Sequence, residues 1–172
     1  MEKSNHFAFI DSQNLNLAIL DSGWKLDFKK FRIYLKDKYK ITEAYLFLGY
    51  LKENKSMYDF LSQIGYKLIF KPILRSRTGK IKGNIDAELV LHTMIEYPNF
   101  DQAVIITGDG DFYCLLEYLN SKEKFLKLLI PNVHKYSALL KSVAAGKIDF
   151  MNNLKNKLEY KNERQLHKDK TL

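Results

Sequence analysis

Aspartate placed directly after an apolar run is the pattern in this chain best suited to chemistry, and it occurs twice. In VIITGDGDFYCLL the run ends at Thr107, and Asp109 and Asp111 follow, interleaved with Gly108 and Gly110. In HFAFIDSQNLN the run ends on Asp11, with Asn14 opening the next segment. A further acid, Asp86, stands in KIKGNIDAELVL, at the start of a segment with helical spacing. Each has a purely structural use. Asp109 fits a turn, Asp111 and Asn14 fit helix caps, and Asp86 fits the positive end of a helix dipole with Asn84 as its cap. The two glycines are read as permitting the backbone angles of a tight turn.

Taken together the acids support a second reading. Open α/β sheets bind ligands at the carboxyl ends of their strands, where the strand order reverses. If the order is 3-2-1-4-5, the strands ending at Asp11 and Thr107 are neighbours there, and Asp11, Asp109 and Asp111 face one crevice. A helix entering just ahead of the fourth strand brings Asp86 over it. Carboxylates converging in this way repel one another, which implies a bound cation, and an all-oxygen donor set favours Mg2+ or Mn2+ over zinc. Such ions activate water and neutralise charge on a phosphodiester.

The elements that must deliver these residues follow from the apolar patterning. Strands are predicted at 6–10, 41–48, 66–73, 102–107 and 125–130. Helices fit 27–39, 56–64, 85–97, 111–119 and 137–145. Alternation of the two favours an α/β domain in three layers, with a central, mainly parallel sheet of five or six strands and helices on both faces. The organisation expected is a globular domain over 5–151 and a polar, basic C-terminal helix or flexible tail over 152–172.

Composition narrows the function classes. Of 172 residues, 46% are hydrophobic, which excludes disorder throughout. The single cysteine, Cys114, excludes an internal disulfide framework and a cysteine-based zinc finger, and suits a reducing, cytoplasmic setting. There is no signal-like N-terminus and no apolar run of about 18 residues, so a soluble protein with no membrane partner is expected. Lys and Arg number 28 against 20 Asp and Glu, a net charge of +8 that suits a polyanionic partner. Between Lys67 and Lys82 lie six basic residues and no acid. Lys71, Arg75, Arg77, Lys80 and Lys82 of this arm are candidate phosphate contacts, and the Thr78–Gly79 pair marks a turn within it.

Other aspartate-rich and nucleotide-binding sites fit worse. A haloacid-dehalogenase phosphatase needs an acid where Gln13 stands, and Asp11-Ser12-Gln13-Asn14-Leu15 does not make the D-x-S-x-S of a von Willebrand-type site. Neither a P-loop nor a nucleophile elbow is present.

In FIDSQNLN, KGNIDAELVL, VIITGDGDF and a weaker tail signature from Ser137 and Leu140 to IDF, the chain resembles the NYN domain proteins, including the LabA-like group, of the PIN-like nuclease superfamily. The resemblance runs from about Phe7 to Phe150. It implies a PIN-like, Rossmann-like fold and a metal-dependent ribonuclease, an endoribonuclease using Mg2+ or Mn2+, with Asp11, Asp86, Asp109 and Asp111 at the family's acidic positions. Asn14 matches the polar residue after the first aspartate, Thr107 the small hydroxyl residue before GDGD, and Asp149 an acidic position near the end. Single-stranded RNA is the expected substrate, and a homodimer is implied because PIN-like domains commonly pair. Ser12 and Gln13 depart from the pattern, as does His92, which stands where many relatives carry an acid and reads as an interior histidine. The alternative function is a silent module of the same fold that binds RNA or protein without cleaving.

Overall fold

The computed structural model describes residues 4–71, 74–75, 81–82 and 86–161. Chain order begins with β1 (His6–Asp11), α1 (Ser12–Asp21), α2 (Phe28–Tyr39), β2 (Ile41–Gly49), α3 (Lys55–Gln63) and β3 (Tyr66–Lys71). Two short strands follow, β4 (Leu74–Arg75) and β5 (Ile81–Lys82). The second half comprises α4 (Asp86–Ile95), β6 (Gln102–Ile106), α5 (Tyr113–Ser121), β7 (Phe125–Ile130), α6 (Ala138–Val143), β8 (Ile148–Phe150) and α7 (Lys155–Leu158).

Six strands form one sheet in the order β3-β2-β1-β6-β7-β8, and every neighbouring pair is parallel. Parallel strands need crossovers, and these are helical, so both faces are covered and the strands read as continuous apolar runs. Ala8, Ile10, Leu46, Val104 and Ile106 face Leu15 and Ile19 of α1, Phe31 and Leu35 of α2 and Leu61 of α3. The alternate residues Phe7, Phe9, Phe47 and Ile105 face Leu89 of α4, Leu115 and Leu119 of α5 and Leu140 of α6. The first three crossover helices lie on one face and the next three on the other. The chain therefore reverses direction between β1 and β6, the strands that carry Asp11 and Thr107.

β4 and β5 pair with each other in antiparallel fashion, Leu74 with Lys82 and Arg75 with Ile81, and stand outside the main sheet. The backbones of Arg75 and Lys82 thus sit on opposite arms of a small ladder. Arg77, Lys80, the Thr78–Gly79 turn and Asn84 lie outside the described residues.

Part of the polar C-terminal segment packs on the domain. Leu158 of α7 is fully buried, its carbonyl accepts from the Asp27 N–H at 2.8 Å, and Glu159 bridges Leu26. One apolar residue per turn is enough to seat this short helix against α2. No helix among the described residues is long and apolar enough to cross a membrane.

Candidate metal centre at the carboxyl edge of the sheet

β1 ends on Asp11, which is also the N-cap of α1: its Oδ1 accepts from the Asn14 N–H at 3.1 Å. The cap is therefore Asp11, and Asn14, placed inside the first turn, has its side chain available for another task. That task is to cross to the neighbouring strand, where Asn14 Oδ1 accepts from the Gly108 N–H at 2.8 Å. The two halves of the sheet are thus joined at the switch point by a side chain from one and a backbone amide from the other.

Thr107, fully buried, completes the link. Its hydroxyl donates to Asp11 Oδ2 at 3.1 Å and accepts from the Asp109 N–H at 3.1 Å. Asp109 caps a single 3-10 turn, Gly110–Phe112, by accepting from the Asp111 N–H at 3.0 Å, and α5 follows. Capping here belongs to Asp109, not to Asp111. An aspartate that holds its own turn in this way presents its remaining oxygen from a fixed position.

Gly108 and Gly110 are required for space. Neither has a positive φ, unlike Gly23, Gly65 and Gly146. A Cβ on Gly110 would run into the Ser137 side chain, coming within 2.8 Å of its Cβ, and one on Gly108 would lie 3.0 Å from the Lys135 carbonyl oxygen. The loop ahead of α6 is laid against the turn and tied to it by the Ser137 N–H donating to the Gly108 carbonyl at 3.1 Å. The turn is thus held from the β1 side by Asn14 and from the α6 side by Ser137. Ser137 belongs to the frame of the site, and only the tail signature hinted at it in the sequence.

Asp86, at the start of α4, Asp109 and Asp111 each bring one carboxylate oxygen to a common place, all within 4.8 Å of one another. Oxygens on opposite sides of an ion coordinated at 2.0–2.1 Å are about 4 Å apart, so this spacing fits a hard divalent cation with little adjustment. Asp11 lies behind them, 7% exposed. Burial pushes its carboxyl up to about 6; the bonds from Asn14 and Thr107 pull the other way, and the charges of Asp86 and Asp109 add to the rise. A buried carboxyl with two acidic neighbours is a site where a positive ion relieves an electrostatic cost. The donor set, all carboxylate oxygen, matches Mg2+ or Mn2+.

The remaining candidates are placed differently. Asp149 of β8 pairs with Leu129, which pairs in turn with Ile106 and Ile10 across the sheet. That row faces α1 and α2, so Asp149 stands three strands away, about 14 Å, and on the opposite face from Asp11. There it accepts from the Tyr39 hydroxyl at 2.7 Å and pairs with Lys127 at 3.5 Å and Lys38 at 3.6 Å. Lys71 ends β3 and forms an ion pair with Glu88 of α4 at 3.4 Å. Glu88 Oε2 is buried without a hydrogen bond among the described residues, so that ion pair is its compensation. This acid is not singled out by the sequence; its only signal is its position two residues after Asp86 on an otherwise apolar helix. His92 is half-buried against the Phe47 ring, with centroids 5.9 Å apart.

The NYN domain family model matches residues 7–150. The chain belongs to the NYN domain family. NYN domains are PIN-like nucleases that act on RNA, and the acidic cluster lies within the matched region. The chain is 26% identical over 132 residues to the low amplitude and bright protein LabA of Synechococcus elongatus, covering 70% of each chain. In fold it is similar to a crystal structure of a Vibrio parahaemolyticus protein of unknown function, with a TM-score of 0.71 and 21% identity, covering 88% of this chain and 96% of the other. That likeness bears out the three-layer arrangement of a parallel sheet between helices.

Proposed function

We propose that this NYN domain is a metal-dependent endoribonuclease that hydrolyses phosphodiester bonds of single-stranded RNA at the carboxyl edge of β1 and β6. The observation that carries the proposal is the convergence of Asp86, Asp109 and Asp111 within 4.8 Å, with Asp11 buried behind them.

Asp86, Asp109 and Asp111 would hold the ion from α4 and from the turn after β6, and Asp11 would complete the set from β1. A divalent cation there supplies charge neutralisation at the phosphoryl oxygens and lowers the pKa of a bound water. The chain's own part is positional. Thr107 fixes Asp11 relative to Asp109, because one hydroxyl bonds both. Asn14, its carbonyl oxygen engaged by Gly108, offers its amide N–H groups to a phosphate oxygen. The chain between β3 and α4 carries Arg75, Arg77, Lys80 and Lys82, and these cations would contact phosphates of the bound RNA.

Incubation of the protein with end-labelled single-stranded RNA, in Mn2+ or Mg2+ and in EDTA, tests the reading. Internal cleavage that requires the ion supports it. RNA binding without cleavage in any of these conditions would favour a silent binding module.

A further inference from the structure

We infer that Tyr50 and Phe70 form a base-stacking platform that selects unpaired RNA, an inference that rests on the RNA-hydrolysing role of the carboxylate cluster. Tyr50 follows the last residue of β2 and Phe70 lies near the end of β3, so both stand on the same carboxyl edge as Asp11 and Asp109. The two residues are 47% and 38% exposed, and their rings meet edge to face at 5.5 Å.

The pair is braced from beneath. Tyr58 of α3 is buried, with its ring 4.8 Å from Phe70 and 5.9 Å from Tyr50. Its hydroxyl donates to the Gly49 carbonyl at 3.2 Å and accepts from the Leu51 N–H at 3.0 Å. The Tyr50 N–H continues the ladder by donating to the Lys71 carbonyl at 3.0 Å. Rings fixed before binding lose little freedom when a base stacks on them. Exposed aromatic surface on a rigid seat is otherwise a cost in water.

Location and charge identify the occupant. Asp11 pairs with Phe47 and Phe47 with Ile69, the residue before Phe70, so the backbone of β3 there lies about 10 Å from that of Asp11, two strand spacings along the edge. Phe70 faces α3 whereas Asp11 faces α4, and a strand that reaches both crosses the edge of the sheet. The chain from Lys67 to Lys82 carries six basic residues and no acid, in a protein of net charge +8. Aromatic rings at the end of a strand whose chain runs on into a basic segment, on the same edge as a phosphodiester-cutting site, suit single strands, whose bases have open faces. A duplex has none to offer.

The test compares the full-length protein with the Tyr50→Leu/Phe70→Leu double variant, which keeps apolar bulk and removes both rings. Affinity for labelled single-stranded RNA and for its duplex is measured in EDTA, together with melting temperature and oligomeric state. The expected result is at least about a fivefold loss for the single strand, with duplex binding and folding held, and no such loss in the single variant Phe70→Trp, which keeps both rings. Equal losses for both RNAs, no loss for either, or a change of oligomeric state with RNA binding intact would overturn the platform, the last by showing a protein contact. Parallel cleavage assays separate the two claims: a wild type that cleaves but shows no ring-dependent preference overturns the platform alone, whereas one that neither binds nor cleaves RNA overturns both.

Discussion

Asn14 and Gly108 are hydrogen-bonded across the point where the sheet reverses direction, side-chain oxygen to backbone N–H at 2.8 Å. The bond sets the height of the GDGD turn relative to the end of β1, and with it the spacing of the acids. Replacing Asn14 with Ala leaves a part-buried N–H without its partner, at a cost of about 1 kcal/mol. Thermal melts should show that loss, and Asn14→Asp, which keeps the acceptor but adds charge beside Asp11 and Asp109, should not recover metal-dependent activity.

Gly110 is constrained by Ser137. Gly110→Ala should destabilise the protein by about 1–3 kcal/mol, the usual range for overpacking. Ser137→Gly removes the atoms in the way, and glycine still serves at the N-cap of α6 with little penalty. The double variant should therefore be more stable than Gly110→Ala alone, as read by denaturant titration.

Asp11 gives a dependence on pH. An acid whose folded pKa is raised to about 6 keeps its proton in the folded state after the unfolded chain has lost it. Its contribution to stability is present below about pH 4 and is lost as pH rises through about 6. In EDTA at pH 8, Asp11→Asn should consequently be more stable than wild type by about 1–2 kcal/mol, with the gap shrinking at acid pH. The same substitution should abolish cleavage, because the ion loses its innermost carboxylate.

Asp149 shows the opposite sign. Burial raises its pKa, but the Tyr39 hydroxyl and the Lys127 and Lys38 ammonium groups outweigh it and hold the carboxyl below its usual range. A depressed acid stabilises the fold above its unfolded pKa, and the benefit is lost as pH falls through the folded one. Asp149→Asn should cost about 1–2 kcal/mol at pH 7, and the two melting curves should converge below the ordinary carboxylate range.

The basic arm is tested by salt. Replacing Arg75 and Arg77 with Ala should flatten the dependence of RNA affinity on ionic strength by roughly 0.7 in the log–log slope for each phosphate no longer neutralised. An unchanged slope would remove the arm from the phosphate path.

Much of this was legible in the sequence, because buried parallel strands are apolar runs and the acids sit where those runs stop. The alternation of strand and helix, the switch point and the residues gathered there all follow from that. Asp11 rather than Asn14 caps α1, since the choice depends on which side chain the next strand requires. The reason for Gly108 and Gly110 lay in Ser137, a contact between segments distant in sequence. Asp149 entered only through the resemblance, as a supporting acid, and register places it on the other face, a difference of one residue in strand parity. The docking of Leu158 was hidden by the charged residues around it.

The central claim is that the carboxylates of the GDGD turn hold an ion that cleaves RNA. The most direct measurement is cleavage of labelled single-stranded RNA by wild type and by Asp109→Asn, purified identically, across a titration of Mn2+, with melting temperature recorded for both. The account predicts ion-dependent cleavage by the wild type and none by the variant, which should melt no lower than about 1 kcal/mol below wild type, since Asn still caps the turn. Cleavage that persists in Asp109→Asn, or that proceeds in EDTA, would contradict it.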